Sequence, residues 1–193
     1  MLETKVRNFL YYIFIAIQFV TVIALASKNK ADYMRDTLFI AAFVAVYIII
    51  EDRYKIRVSN YIRGCLMLVI TVHVVGGKYF DFYSTSAVFD KVLHVVGIYS
   101  FVLFVYSIMD QFLKISFKAN FNKFVFITLL GINIGAIFEI VEFFADITVK
   151  PSVRNQPDLV DTDLDMVADV IGALIAAFYV CFTDVQLRLS KRK

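Results

Sequence analysis

Acidic residues and a histidine share helix faces with glycines in this chain. One such face carries Gly131, Gly135, Glu139, Glu142 and Asp146, whose spacings of three or four residues place them on one side of a helix. Two similar faces carry Asp90, His94 and Gly97, and Asp165, Asp169, Gly172 and Ala176. Glycine faces mark helix contacts in membranes, and ionisable groups at membrane depth are costly. We therefore expect the three faces to converge on a functional site.

A histidine surrounded by carboxylates is typical of a site for a divalent cation. Oxygen-rich ligand sets favour Mg²⁺ or Mn²⁺, and an imidazole also admits Zn²⁺. The predicted metal ligands are His94, Glu139, Glu142 and Asp165. A bound cation would also offset the repulsion among carboxylates gathered in a partly dehydrated pocket.

The predicted catalytic residues are three further aspartates, Asp90, Asp161 and Asp169. Asp169 or Asp161 would activate water as a general base beside the metal. His73, Asp163 and Asp146 complete the predicted polar site.

Several of these residues also fit a purely structural role. Thr162 and Asp165 have the spacing of a capping box, so Asp161 and Asp163 fit equally well as acids at the start of the last helix. Asp146 and Asp158 fit solvated loops. His73, alone on its span, fits a hydrogen bond between helices.

Composition predicts that membrane helices position these residues. Hydrophobic residues make up 60% of the chain, mean hydropathy is +0.73, and there is no tryptophan. At about 20 apolar residues per crossing, we predict an all-α helical bundle in one membrane domain, residues 1–193. The six predicted spans, of which the second is the shortest, are Phe9 to Ala26, Thr37 to Ile50, Ile62 to Gly77, Val92 to Met109, Phe121 to Ala145 and Met166 to Thr183.

The basic residues predict the orientation of these spans in the cell membrane. With six spans, most of them fall on the side that holds both termini, which is therefore predicted to be cytoplasmic. They are Lys5, Arg7, Arg53, Lys55, Arg57, Arg63, Lys114, Lys118, Lys123, Arg188, Lys191, Arg192 and Lys193. This orientation collects the candidate acids and histidines at the outer side of the membrane. An odd number of spans would scatter them.

Four sequence blocks resemble the YjdF-like family of uncharacterised prokaryotic multi-pass membrane proteins, which carry a domain of unknown function. The blocks read TVHVVGGKY from Thr71, FDKVLHVVG from Phe89, FEIVEF from Phe138 and DTDLDM from Asp161, followed by Gly172 and Ala173. Phe89 and Phe143 depart from the pattern, which has tyrosine and tryptophan there. A more distant similarity is to the VanZ-like family. The resemblance implies a multi-pass fold with a core over 71–173 and no established activity.

Familiar catalytic motifs are missing from the sequence. It has no HExxH, GxSxG, P-loop or CxxC pattern. Three hypotheses remain: a metal-dependent enzyme acting on a lipid or lipid-linked headgroup, an ion-coupled transporter or carrier, and a noncatalytic membrane component. Membrane lipid is the expected partner. The net charge of +3 calls for no nucleic acid, and the oligomeric state stays open.

Overall fold

The computed structural model describes residues 2–86, 88–151 and 153–183. Every long element in this part of the chain is helical, and six helices are long and apolar enough to cross a membrane. The predicted all-α bundle with six spans is therefore confirmed. Four basic residues used in the orientation prediction, Arg188, Lys191, Arg192 and Lys193, lie outside the described residues.

The described residues divide into two compact helical units, 2–86 and 88–183. The first unit contains α1 (Leu2–Ser27), α2 (Ala31–Tyr54), α3 (Asn60–Thr71), a π-helical continuation of α3 (Val72–Tyr79) and the short α4 (Phe82–Thr85). The prediction that the second span is the shortest is wrong, because α2 has 24 residues whereas the span Asn60–Tyr79 has 20. The single membrane domain over 1–193 stays a prediction.

A buried ion pair joins the helices of the first unit. Arg63 on α3 pairs with Glu51 on α2, and Tyr11 on α1 hydrogen bonds to both side chains. Glu51 is 2% exposed and Arg63 5% exposed. Arg63, counted among the basic residues on the predicted cytoplasmic side, therefore lies in the first turn of α3 and in the protein interior. Sequence reasoning also missed Glu51, since a single acid at the end of a span is typical of a topological boundary.

The second unit contains α5 (Phe89–Leu113), α6 (Asn120–Thr148) and α7 (Leu159–Phe182), and α7 packs against both other helices. Glycines allow the close packing. A Cβ on Gly131 would lie 2.4 Å from Ala173 Cβ, and a Cβ on Gly172 would lie 2.4 Å from the Val95 carbonyl oxygen. The predicted glycine faces of α6 and α7 are thus helix contacts.

The interior of the second unit between these contacts is mostly apolar. Its buried apolar side chains include Ile98, Val102, Leu103, Ile127, Ala173, Ala176, Ala177 and Val180, and its buried hydroxyl groups include those of Ser100 and Ser107. Apolar residues on the other side of α6, such as Ile137, Ile140 and Val141, are exposed, as expected for a lipid-facing surface. Ionisable side chains gather at one end, where α5 and α7 begin and α6 ends.

Candidate metal-binding site

His94 is the centre of the acidic cluster in the second unit. It lies in the second turn of α5 and is half-buried, and carboxylates approach both nitrogens of its ring. The Nδ1 side meets carboxylates from α6 and α7, whereas the Nε2 side meets carboxylates from α5 and α7. Each side makes a compact group of three possible metal ligands.

The Nδ1 group is formed by His94, Glu139 and Asp169. His94 Nδ1 lies 2.9 Å from Asp169 Oδ1 and 3.9 Å from Glu139 Oε1. Two ligands that each lie about 2.1 Å from one ion can be up to about 4.2 Å apart, so both separations suit a shared cation. Glu139 is 6% exposed and Asp169 2% exposed. Among the described residues, Glu139 Oε1 has no hydrogen-bond partner.

The Nε2 group is formed by Asp90, His94 and Asp165, and it already contains a positive charge. His94 Nε2 lies 3.7 Å from Asp90 Oδ1 and 3.6 Å from Asp165 Oδ1. Lys91 Nζ lies 2.5 Å from Asp161 Oδ1, 2.8 Å from the Asp165 carboxylate and 3.4 Å from Asp90 Oδ2. The Lys91 ammonium therefore neutralises part of the charge of three aspartates.

The connection between α6 and α7 reaches the site through Gln156. Its Nε2 donates to Glu139 Oε2 at 2.8 Å and to the Glu139 carbonyl oxygen at 2.9 Å. One oxygen of the Glu139 carboxylate is thus held by the connection, and the other faces His94.

Comparison with known proteins decides the family. Residues 8–184 match the family model described as "Predicted membrane protein (DUF2238)". The chain belongs to this family. DUF2238 is the YjdF family, so the YjdF-like resemblance is confirmed, whereas the similarity to VanZ-like proteins stays a prediction.

One curated relative is similar to this chain over much of its length. It is an uncharacterized protein of Thermotoga maritima, 32% identical over 129 residues. The match covers 66% of this chain and 62% of the length of the relative. No solved structure matches this chain. Together with the six candidate spans, membership in DUF2238 makes this a multi-pass membrane protein.

The structure groups the predicted site residues differently from the sequence hypothesis. Asp169, expected as a general base, belongs to the Nδ1 group of possible metal ligands. Asp165, expected as a ligand, pairs with Lys91. Glu142, expected as a ligand, lies one turn beyond Glu139 and belongs to neither group of possible ligands among the described residues.

Three other predicted residues lie apart from these groups. Asp163 is exposed on the outer face of α7. Asp146 accepts hydrogen bonds from the α6–α7 connection. His73 belongs to the π-helical segment of the first unit, where its Nδ1 hydrogen bonds to the Tyr83 hydroxyl and the two rings meet edge to face.

The predicted capping box at Thr162 and Asp165 is wrong. The N-cap of α7 is Asp158, whose carboxylate accepts a hydrogen bond from the Asp161 backbone amide at 2.9 Å. The helix starts at Leu159, four residues before the position that a capping box at Thr162 would require. Asp158, read from the sequence as a solvated loop acid, is the residue that fixes the start of α7.

Sequence reasoning missed Gln156, and it noted Lys91 only as a base near the acids, without placing it in the site. Lys91 precedes His94 by three residues, a spacing that places both near one helix face and indicates an internal counter-ion. Gln156 lies in an irregular segment, so no periodicity indicated where its side chain points.

Proposed function

We propose that this DUF2238 protein is a membrane-embedded enzyme that uses a divalent cation held by His94, Glu139 and Asp169, and that it acts on a lipid or lipid-linked headgroup. The observation that supports the cation is Glu139 Oε1, a buried carboxylate oxygen 3.9 Å from His94 Nδ1 with no hydrogen-bond partner among the described residues. A buried polar atom without a partner is costly. A cation at this position would supply the missing interaction.

The distribution of positive charge favours a cation on the Nδ1 side. Lys91 already offsets the carboxylates of Asp90, Asp161 and Asp165. For Glu139 and Asp169, the ion-pair partner in the described part of the chain is His94. Two buried carboxylates facing one imidazole carry excess negative charge, and a divalent cation would neutralise it.

The environment of the His94 ring suits metal binding through Nδ1. A histidine that binds a metal usually donates its other N–H to a carboxylate, which fixes the orientation of the ring. Asp90 and Asp165 lie 3.7 and 3.6 Å from Nε2, just beyond hydrogen-bond distance, so a shift of a few tenths of an ångström would let either accept this N–H. His94 Nδ1 and Asp169 Oδ1 lie 2.9 Å apart, within hydrogen-bond distance when Nδ1 carries the proton.

One imidazole with two carboxylates is a ligand set found for Zn²⁺ and also accepted by Mn²⁺. Three protein ligands would leave positions open for water and substrate, and the ion would supply a water-derived nucleophile at neutral pH and polarise the bond under attack. Hydrolysis would then join the water oxygen to the phosphorus or carbonyl carbon of the headgroup ester and break the bond from that atom to the departing oxygen. One water proton would stay on the new hydroxyl group and the other would end on the departing oxygen.

The depth of the site supports a lipid substrate. At 1.5 Å per residue, His94 lies about 8 Å inside the start of α5, Glu139 about 14 Å inside the end of α6, and Asp169 about 15 Å inside the start of α7. Helix ends of a membrane protein reach into the headgroup region, so side chains at this depth lie near the boundary between the polar and apolar parts of a bilayer. The bonds of a lipid headgroup lie near the same boundary. The apolar interior beyond His94 favours an enzyme over a carrier, which needs a polar path across the membrane.

Metal analysis of the protein purified in detergent tests the cation. We expect about one Zn²⁺ or Mn²⁺ per chain after loading, and loss of binding in Glu139→Gln and Asp169→Asn, which keep side-chain shape. Asp163→Asn is the matched control, because it removes an exposed acid from the same helix as Asp169. Glu142→Gln tests the ligand predicted from the sequence. Absence of binding at millimolar metal, or equal binding by all variants, would overturn the proposal.

Turnover tests the enzyme. The metal-loaded protein would be incubated with vesicles made from a bacterial lipid extract, and released headgroups would be followed by mass spectrometry. We expect release that requires metal and is lost in Glu139→Gln but retained in Asp163→Asn. Metal binding with no released headgroup, combined with metal-dependent ion flux in sealed vesicles, would overturn the enzyme proposal and support a carrier.

A further inference from the structure

Asp146 organises the end of the α6–α7 connection. One of its carboxylate oxygens accepts from the Asn155 backbone amide at 2.9 Å and the Asn155 side-chain amide at 2.8 Å, and the other accepts from the Gln156 backbone amide at 3.0 Å. Three donors on one carboxylate fix both residues against the end of α6. Charge-assisted hydrogen bonds of this kind are among the stronger ones in proteins.

Gln156, whose backbone is held by Asp146, also contacts the candidate metal site through its side chain. Its side-chain nitrogen donates to the Glu139 carboxylate at 2.8 Å and to the Glu139 carbonyl oxygen at 2.9 Å. The hydrogen bond to Oε2 leaves Oε1 directed toward His94. The side-chain torsion of Glu139 is thus set by a residue 17 positions later in the chain.

We infer that Asp146 and Gln156 form a latch that positions the Glu139 carboxylate for its ligand, with Gln156 as the positioning residue and Asp146 as its anchor. The inference concerns the orientation of Glu139, and its part about the ligand rests on the proposed cation site. Partners that orient a metal ligand in this way typically change metal affinity by about 10- to 100-fold. Asp146 therefore acts through Gln156 and does not itself bind the ion.

Tryptic cleavage tests the latch without any metal. Arg154 is exposed and directly precedes Asn155, so the native chain carries a cleavage site beside the latched residues. In detergent, we expect faster cleavage after Arg154 in Asp146→Ala than in the native protein. Asp163→Ala, which removes an exposed acid from α7, is the matched control and should not change the rate. An unchanged rate in Asp146→Ala would overturn the latch.

Metal affinity tests the positioning role of Gln156. Gln156→Met keeps the length of the side chain and removes the donor, so we expect Mn²⁺ or Zn²⁺ affinity to fall about 10- to 100-fold while the melting temperature of the metal-free protein changes little. Native affinity in Gln156→Met would overturn the positioning role. If the native protein binds neither metal, the proposed function fails, and the tryptic comparison still decides whether the latch exists.

Discussion

Gly135 of α6 lies directly against the Asp169 carboxylate of α7. A Cβ at position 135 would be 2.4 Å from Asp169 Oδ2 and 2.8 Å from Asp169 Cγ, closer than real Cβ atoms approach their neighbours. The missing side chain leaves room for a buried carboxylate whose other oxygen contacts His94. The glycine that lets two helices pack closely is thus also the residue that makes space for a functional group.

Gly135→Ala should disturb the candidate site. The added methyl group would push Asp169 away from its position beside His94, so we expect at least a 10-fold loss of Mn²⁺ or Zn²⁺ affinity and a stability loss of about 1–3 kcal/mol from overpacking. Metal titration and thermal unfolding of the purified protein measure the two effects.

Two other glycines provide the controls for Gly135→Ala. A Cβ at Gly64 meets nothing within 4 Å, so Gly64→Ala should leave stability and metal affinity unchanged or slightly improved. A Cβ at Gly131 meets Ala173, so Gly131→Ala should lower stability while the folded protein keeps its metal affinity. Equal metal affinity in all three variants would contradict the role of Gly135.

Lys91 should be coupled energetically to Asp161. The two charged groups lie 2.5 Å apart with 19% and 24% of their side chains exposed, so they are partly shielded from solvent. Lys91→Met should destabilise the protein by about 1–3 kcal/mol, because three aspartates lose their counter-ion. In a double-mutant cycle with Asp161→Asn we expect a coupling of about 1–2 kcal/mol. The same cycle with the exposed Asp163→Asn should give nearly zero, and equal couplings would contradict the assignment.

The buried pair of Glu51 and Arg63 should dominate the stability of the first unit. Glu51→Gln leaves the Arg63 charge without its ionic partner in the interior, and we expect a loss of about 3–5 kcal/mol in unfolding experiments. Asp52→Asn is the control at the adjacent position, because the Asp52 ion pair with Arg7 has side chains that are 58% and 28% exposed. Its expected loss is about 0–1 kcal/mol. A similar loss of stability in both variants would contradict the larger contribution expected of the buried pair of Glu51 and Arg63.

Asp158 should stabilise the start of α7. Asp158→Ala removes the acceptor of the Asp161 amide, so the melting temperature should drop by an amount equivalent to about 1 kcal/mol. Thr162→Ala tests the rejected capping box and should have a smaller effect. A larger drop in melting temperature in Thr162→Ala than in Asp158→Ala would support the capping box at Thr162 instead.

The protein class and the helices could be predicted from the amino-acid sequence. Apolar runs long enough to cross a membrane predict helices wherever they occur, because a membrane span must satisfy its backbone hydrogen bonds within itself. Periodicity also placed Gly131, Gly135, Glu139 and Asp169 on contacting faces, because residues three or four apart share one side of a helix. These properties are local in the chain.

Which ionisable groups meet could not be predicted from the sequence, because it depends on how the helices pack. The pairing of His94 with Asp169, and of Lys91 with Asp161, depends on how far α5 and α7 are shifted and rotated relative to each other, which the period of each helix leaves undetermined. Gln156 reaches Glu139 because of the path of an irregular connection. Helix periodicity determines the direction in which each side chain points around the axis of its own helix. A site assembled from three helices also requires the relative positions of the three helices, and those follow from packing.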